Sequence, residues 1–145
     1  MCDVRKNSIS RNLGFSKRQL EKAVSNIDIE YMHMPELGIA SEKRRNLKTQ
    51  KDYDRLFEDY QNTTLKNNSC AINKLYQIFL KKRVAITCFE ANVYMCHRGQ
   101  LALALTQLSD WKYEIKHILK NKLTNFLHMG HLQPLALSPF LTTFK

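Results

Sequence analysis

Length, composition and charge restrict this chain to a basic globular protein. It has 145 residues, of which 43% are hydrophobic and 25% are charged, and its four glycines and three prolines argue against a linker-rich or disordered chain. The net charge of +10 is spread along the sequence and favours polyanionic partners, although a basic protein without a nucleic-acid role is an equally good interpretation.

The first part of the chain predicts a strand, a helix and a second strand. Residues 2–5 have the pattern of a strand end. Ser16 and Gln19 have the spacing of a capping box, and apolar residues recur at helical spacing after them. Alternation of residue types over 29–34 then predicts a short strand that ends at Pro35.

A polar, basic loop over residues 36–51 follows, and it contains Glu42-Lys43-Arg44-Arg45. A charged loop of this kind is usually a solvated surface. The alternative is a flap that covers an anionic ligand.

The second half of the chain predicts two helices, a strand, a helix and a last strand. Thr49 or Asp52 would begin the first of these helices, and an apolar run with β-branched residues is typical of a buried strand. In order, the patterns predict helices over 53–60 and 69–80, a strand over 84–89, a helix from about residue 97 and a strand over 111–118.

This alternation predicts an α/β fold with a mostly parallel sheet flanked by helices, in a Rossmann-like three-layer arrangement. Residues 1–122 would form a single α/β domain. Residues 123–145 form an apolar tail, for which a docked arm, a partner surface and a non-native read-through remain alternatives. Ligands of such sheets bind at the carboxyl ends of the strands.

The sequence shows no signal peptide and no membrane span. Its first fifteen residues are polar and charged, and no apolar run reaches the roughly 18 residues that cross a bilayer. The four cysteines lack the spacing of a small disulfide scaffold. We therefore expect a cytoplasmic protein with reduced thiols and no membrane partner.

Cys96-His97-Arg98, at the expected start of a helix, is the strongest candidate for chemistry. A helix N-terminus and nearby cations favour a thiolate, and the same groups can hold a phosphate. Cys96 is therefore a nucleophile, part of an anion cradle or a buried structural residue. Glu90 would act as a general base, orient Arg98 or His97, or form an ion pair. Cys88 is predicted to be inert core.

A second polar group follows the first strand. Asp3 and Arg5 share one face of that strand and would pair with each other. Alternatively, Arg5 and Arg11 join Arg98 at the sheet edge and hold a dianionic phosphate.

The sequence predicts neither a metal nor a cofactor. No C-x-x-C pair is present, and the interval from Cys88 to Cys96 is too long for a zinc knuckle. P-loop, G-x-G-x-x-G, G-x-S-x-G and H-E-x-x-H motifs are also absent. The metal ligands considered are Cys88, Cys96, His97, His117, His128 and His131.

Several of these motifs, in this order, resemble the domain of unknown function 488 family. They are Asp3-Val4-Arg5, Leu37-Gly38, Cys88-Phe89-Glu90 and Cys96-His97-Arg98, and the resemblance covers roughly residues 3–119. It implies a small cytosolic bacterial or archaeal α/β domain without an established activity. It also implies a polar cluster at the strand ends, formed here by Asp3, Arg5, Ser10, Arg11, Tyr31, Glu90, Cys96, His97 and Arg98.

One departure from the family concerns the N-terminus. Family members begin with a strand that carries a Thr-Ile-Gly-His-Ser-like segment, and a helix follows before Asp-Val-Arg. This chain begins at Met1-Cys2. The resemblance therefore implies a product truncated before its second strand.

These observations lead to one functional expectation and two alternatives. The chain would bind a phosphate-bearing small molecule or a nucleotide, with or without catalysis. The anion would be held by Arg5, Arg11 and Arg98, the acid, base or nucleophile would be Glu90, Cys96 or His97, and the supporting residues would be Asp3, Ser10 and Tyr31. The alternatives are a nucleic-acid-binding module that uses basic residues 43–51 and 112–122, and a truncated product without activity. Oligomeric state stays open.

Overall fold

A three-stranded parallel sheet is the framework of the computed structural model, which describes residues 1–118. Strand β1 (Cys2–Asp3) lies in the centre, between β2 (Met32–His33) and β3 (Ile86–Thr87). Asp3 lies opposite His33 on one side and Thr87 on the other. The predicted α/β fold with a parallel sheet is confirmed.

Four α-helices and several short turns connect these strands within residues 1–118. The helices are α1 (Lys17–Ser25), α2 (Gln50–Asp59), α3 (Ser69–Phe79) and α4 (His97–Thr106). Single 3-10 turns occupy Pro35–Leu37, Ser41–Arg44 and Val93–Met95, and a π-helical turn at Tyr60–Leu65 leads from α2 toward α3.

The two predicted helix starts differ in their capping. Thr49 and Asp52 form a complete capping box before α2, as the sequence predicts. The capping box predicted at Ser16 and Gln19 is wrong, although α1 begins there. The Ser16 hydroxyl bonds to the backbone of Ser10, because the preceding loop folds back onto the start of the helix.

The core is built mainly from β1 and from the apolar faces of α2, α3 and α4. Val4, Leu37, Leu75, Leu101 and Leu105 are completely buried. Helix α1, in contrast, contributes no buried residue. Leu56 and Phe57 of α2 also belong to the core, and this packing fixes the strand ends relative to the start of α4.

The strand predicted over 111–118 is wrong, because these residues have no regular secondary structure. The Trp111 ring packs on α3, with its centre 5.3 Å from that of Phe79. Its Nε1 donates a hydrogen bond to the Tyr113 carbonyl oxygen at 2.6 Å. Met1–Ile115 form one compact unit.

The predicted domain end at residue 122 and the predicted tail, 123–145, lie outside the described residues. Among residues 1–118, no helix combines the length and apolar character that a bilayer crossing requires.

Candidate thiol and imidazole site

Three chain segments bring polar side chains or backbone groups to the carboxyl edge of the sheet. Cys88 comes directly after β3, and Val4 comes directly after β1. Helix α4 begins at His97, with Cys96 at its N-cap in an extended backbone conformation. The predicted helix start at this position is confirmed, and it places the two cysteines near each other.

A compact cluster joins Cys88, Glu90, Cys96 and His97. One sulfur, nitrogen or carboxylate oxygen from each residue lies within 4.8 Å of all the others. Cys88 Sγ is 3.1 Å from Glu90 Oε2 and 3.4 Å from His97 Nδ1. Cys96 and His97 are almost completely buried, whereas Cys88 and Glu90 are partly exposed. We call these four residues the cysteine cluster.

The backbone fixes the orientation of His97. Its Nε2 lies 3.2 Å from the Val4 carbonyl oxygen, which can only accept a hydrogen bond, so Nε2 carries the hydrogen. Nδ1 then accepts from the Arg44 guanidinium at 2.6 Å. Burial, with a smaller contribution from the Arg44 charge, lowers the pKa of His97 to about 4. The imidazole is therefore neutral near pH 7.

The two cluster thiols differ in their ionisation. A hydrogen bond from Cys88 lowers the pKa of Cys96, against the opposing effect of burial, and Arg98 lowers it further. Arg98 Nη1 lies 3.1 Å from Cys96 Sγ. The same thiol–thiol hydrogen bond, together with burial, raises the pKa of Cys88. Of the two thiols, Cys96 is thus the one that ionises more readily.

Two arginines contact the cysteine cluster. Arg44, from the second 3-10 turn, forms an ion pair with Glu90 and reaches His97. Arg98 donates to the carbonyl oxygens of Glu90 and Ala91, the latter at 3.1 Å. Arg98 therefore fixes the loop after β3, while Arg44 bonds to side chains of the cluster.

Asp3 and Arg5 form a buried ion pair after β1, as one of the two sequence hypotheses predicts. Arg5 Nη2 lies 2.5 Å from Asp3 Oδ2, and its Nη1 donates to the Phe15 carbonyl oxygen at 2.7 Å. Tyr31 adds a hydrogen bond to Asp3 at 2.7 Å. Burial raises the pKa of Asp3, but the hydrogen bonds from Arg5 and Tyr31 outweigh it and hold that pKa below its ordinary value.

Ser10 and Arg11 lie in the loop before α1. Ser10 Oγ accepts a hydrogen bond from the Asn12 backbone at 3.1 Å, and Arg11 is exposed. The hydrogen bonds found within residues 1–118 join neither of them to the cysteine cluster. The structure thus brings together Glu90, Cys96, His97 and Arg98, and places Asp3, Arg5 and Tyr31 in a separate group.

The sequence did not predict that Cys88 and Arg44 contribute to the site. Cys88 is not enclosed among apolar side chains, because its sulfur contacts Glu90 and His97. The signal was present, since Cys88 and Glu90 are two residues apart at a strand end and an extended backbone turns such residues to one side. Arg44 belongs to the basic loop for which a flap was one hypothesis.

The fold and the site define a small α/β protein with thiol, imidazole and carboxylate groups at the carboxyl edge of a parallel sheet. The family model described as "Domain of unknown function DUF488" matches residues 1–105, and the chain belongs to this family. Comparison with curated proteins gave no match, and comparison with solved structures gave none either.

Proposed function

We propose that the chain binds a small phosphate-bearing molecule, such as a nucleotide, at the carboxyl edge of the sheet. The observation that carries this proposal is the position of Arg44. Its side chain comes from a basic turn, is 18% exposed and ends on Glu90 and His97. An accessible guanidinium beside a polar cluster is a ready partner for a phosphate, which it can bind through two parallel hydrogen bonds.

The ligand would compete with Glu90 for Arg44. The Glu90 side chain is 23% exposed, so the ion pair can open toward solvent without burying an isolated charge. Released from Arg44, the Glu90 carboxylate becomes a general base of the type that many enzymes use. Cys96, whose pKa is lowered, and the neutral His97 would be the accompanying nucleophile and proton carrier.

Arg5 and Arg98 would shape the site rather than hold the anion. Both guanidiniums already donate hydrogen bonds to protein acceptors, Arg5 to Asp3 and Arg98 to backbone carbonyl oxygens. Binding a phosphate to Arg5 would leave the fully buried Asp3 carboxylate without its partner, and binding one to Arg98 would release the loop after β3. The Glu90 carboxylate that Arg44 would release is, in contrast, partly exposed. We therefore assign ligand binding to Arg44 first, and keep exposed Arg11 as a secondary cation.

Calorimetric titration with inorganic pyrophosphate and with a nucleoside diphosphate, at low ionic strength, tests the proposal. We expect Arg44→Ala to weaken binding by about 10-fold or more, because a charge-assisted hydrogen bond contributes roughly 1.5–3 kcal/mol. Arg45→Ala is the matched control. It removes the same charge from an exposed neighbour and should leave the affinity within about 3-fold.

Two outcomes would contradict the proposal: wild-type protein that binds neither compound, or equal losses in the two variants. Equal losses together with tight, steeply salt-dependent binding of DNA or RNA would support the nucleic-acid alternative.

We also propose a cytoplasmic location, because a reducing compartment preserves Cys88 and Cys96 as thiols.

A further inference from the structure

We infer that the cysteine cluster is a Zn²⁺ site, with Cys88, Cys96 and His97 as ligands and Glu90 in the fourth position. This inference does not depend on the proposed anionic ligand. With zinc bound, Arg44 could still bind an anion. Cys96, His97 and Glu90 would then be metal ligands instead of nucleophile, proton carrier and base. Two cysteines, a histidine and a carboxylate are donors that Zn²⁺ accepts in four-coordinate, tetrahedral sites.

The spacing of the donor atoms fits such an ion. Zn–S bonds of about 2.3 Å and Zn–N or Zn–O bonds of about 2.0 Å place tetrahedral ligand atoms about 3.3–3.8 Å apart. Cys88 Sγ lies 3.1 Å from Glu90 Oε2 and 3.4 Å from His97 Nδ1. All four donors lie within 4.8 Å of one another, so the most distant pair must approach by up to about 1.5 Å for the ion to bind all four.

His97 is held in the orientation that a metal ligand needs. Metal-binding histidines donate their second ring N–H to a carbonyl or carboxylate, which fixes the ring and the tautomer. Here Nε2 donates to the Val4 carbonyl oxygen at 3.2 Å. Nδ1 is consequently the nitrogen that can accept; its lone pair now accepts from Arg44, and Cys88 Sγ lies 3.4 Å from it.

The surrounding charges suit a metal with two thiolates and one carboxylate. Such a set leaves a charge of −1 on the complex, and buried charge needs a partner. Arg98 Nη1 already lies 3.1 Å from Cys96 Sγ, and Arg44 pairs with Glu90. These two guanidiniums would more than balance the single negative charge of the complex.

Metal entry changes one hydrogen bond and releases protons. Zn²⁺ would take the Nδ1 lone pair that now accepts from Arg44, and Arg44 would keep Glu90. Arg44 is partly exposed on a turn, so its side chain can move away from His97 while it stays paired with Glu90. Two Zn–S bonds form, and protons remaining on the Cys88 and Cys96 thiols pass to solvent.

The sequence pattern conceals this site because its ligands come from two different elements. Cys88 and Glu90 follow β3, whereas Cys96 and His97 lie at the start of α4. A zinc knuckle brings its cysteines together within one tight turn. Here the fold brings together donors eight residues apart in the chain.

Zinc titration of the reduced, metal-stripped full chain tests the inference, with a chromophoric chelator as competitor and phosphate-free buffer. We expect one zinc per chain, and Cys88→Ser should weaken binding by at least about 10-fold, since loss of even an outer partner costs that much. Cys70→Ser is the matched control, because Cys70 is an exposed free cysteine on α3, and it should bind zinc as wild type does.

Cobalt substitution gives a second readout that depends on sulfur ligation. Wild type and Cys70→Ser should both show thiolate-to-cobalt charge-transfer absorption, and Cys88→Ser should show a weaker band. Wild-type protein without stoichiometric zinc would overturn the inference, as would equal losses in Cys70→Ser and Cys88→Ser. Because no phosphate compound is present, either result leaves the pyrophosphate titration as a separate test.

Discussion

Asp3→Asn is expected to lower the free energy of unfolding by about 3–5 kcal/mol, because it leaves a buried guanidinium without its counter-ion. The side chains of Arg5 and Asp3 are 2% and 0% exposed. Asparagine preserves the shape of the carboxylate but not its charge. Urea denaturation of both proteins at pH 7 measures the difference.

Asp59→Asn is the matched control for this substitution. Asp59 pairs with Lys43 at 2.6 Å, but the two side chains are 43% and 48% exposed. An ion pair of that kind contributes about 0–1 kcal/mol. Equal losses in the free energy of unfolding of the two variants would contradict the claim that the buried Asp3–Arg5 pair stabilises the fold more than an exposed pair does.

The loss of stability caused by Asp3→Asn should become smaller at low pH. Burial opposes ionisation, but the hydrogen bonds from Arg5 and Tyr31 hold the pKa of Asp3 below its ordinary value of 3.8. Stabilisation by a group with a lowered pKa is complete above the unfolded-state value, about 3.9, and is lost as pH falls through the folded-state pKa. The difference between the proteins should shrink below about pH 4, and a constant difference would contradict this account.

Gly38→Ala is the second substitution with a large expected effect, a loss of about 3 kcal/mol or more. A Cβ atom at Gly38 would lie 2.3 Å from the Lys6 backbone nitrogen and 2.6 Å from the Val4 carbonyl oxygen. Both contacts are with backbone, which cannot move aside as a flexible side chain would. Thermal denaturation should show a midpoint about 10 °C lower.

The same substitution should also disturb the candidate site. Gly38 lies where the chain runs from β2 toward the turn Ser41–Arg44, which carries Arg44. Gly99→Ala is the matched control, because a Cβ atom in α4 would meet only Val93, at 3.5 Å. We expect it to be neutral or to stabilise the helix by up to about 1 kcal/mol. A larger loss for Gly99→Ala than for Gly38→Ala would contradict the packing described above.

Much of the fold could be predicted because local patterns and tertiary packing agree. The strand at residues 2–5 and the helix capped by Thr49 appear where residue spacing predicts them. The prediction of a strand over 111–118 was wrong, because an alternating pattern of residue types does not show which part of the fold a side chain packs against. Trp111 docks on α3, and that contact depends on distant parts of the chain.

The candidate site could be predicted only in part. Cys96, His97 and Arg98 adjoin a helix start, a feature that sequence spacing reveals. The contact of Arg44 with Glu90 and His97 could not be predicted, because it joins residues 46 and 53 positions apart. The pairing of Arg5 with Asp3 was one of two alternatives, and only the fold shows which acceptors surround that guanidinium.

The central claim is that a ligand binds at the carboxyl edge of the sheet, where Arg44 from the turn Ser41–Arg44 reaches the cysteine cluster. Amide chemical shifts of the full chain during titration with pyrophosphate test it most directly, because they report on each residue separately. We predict the largest shifts at Arg44 and over residues 88–98, and much smaller ones at Arg11 and Arg45. Shifts confined to basic residues 112–118, or no shifts at any residue, would contradict the claim.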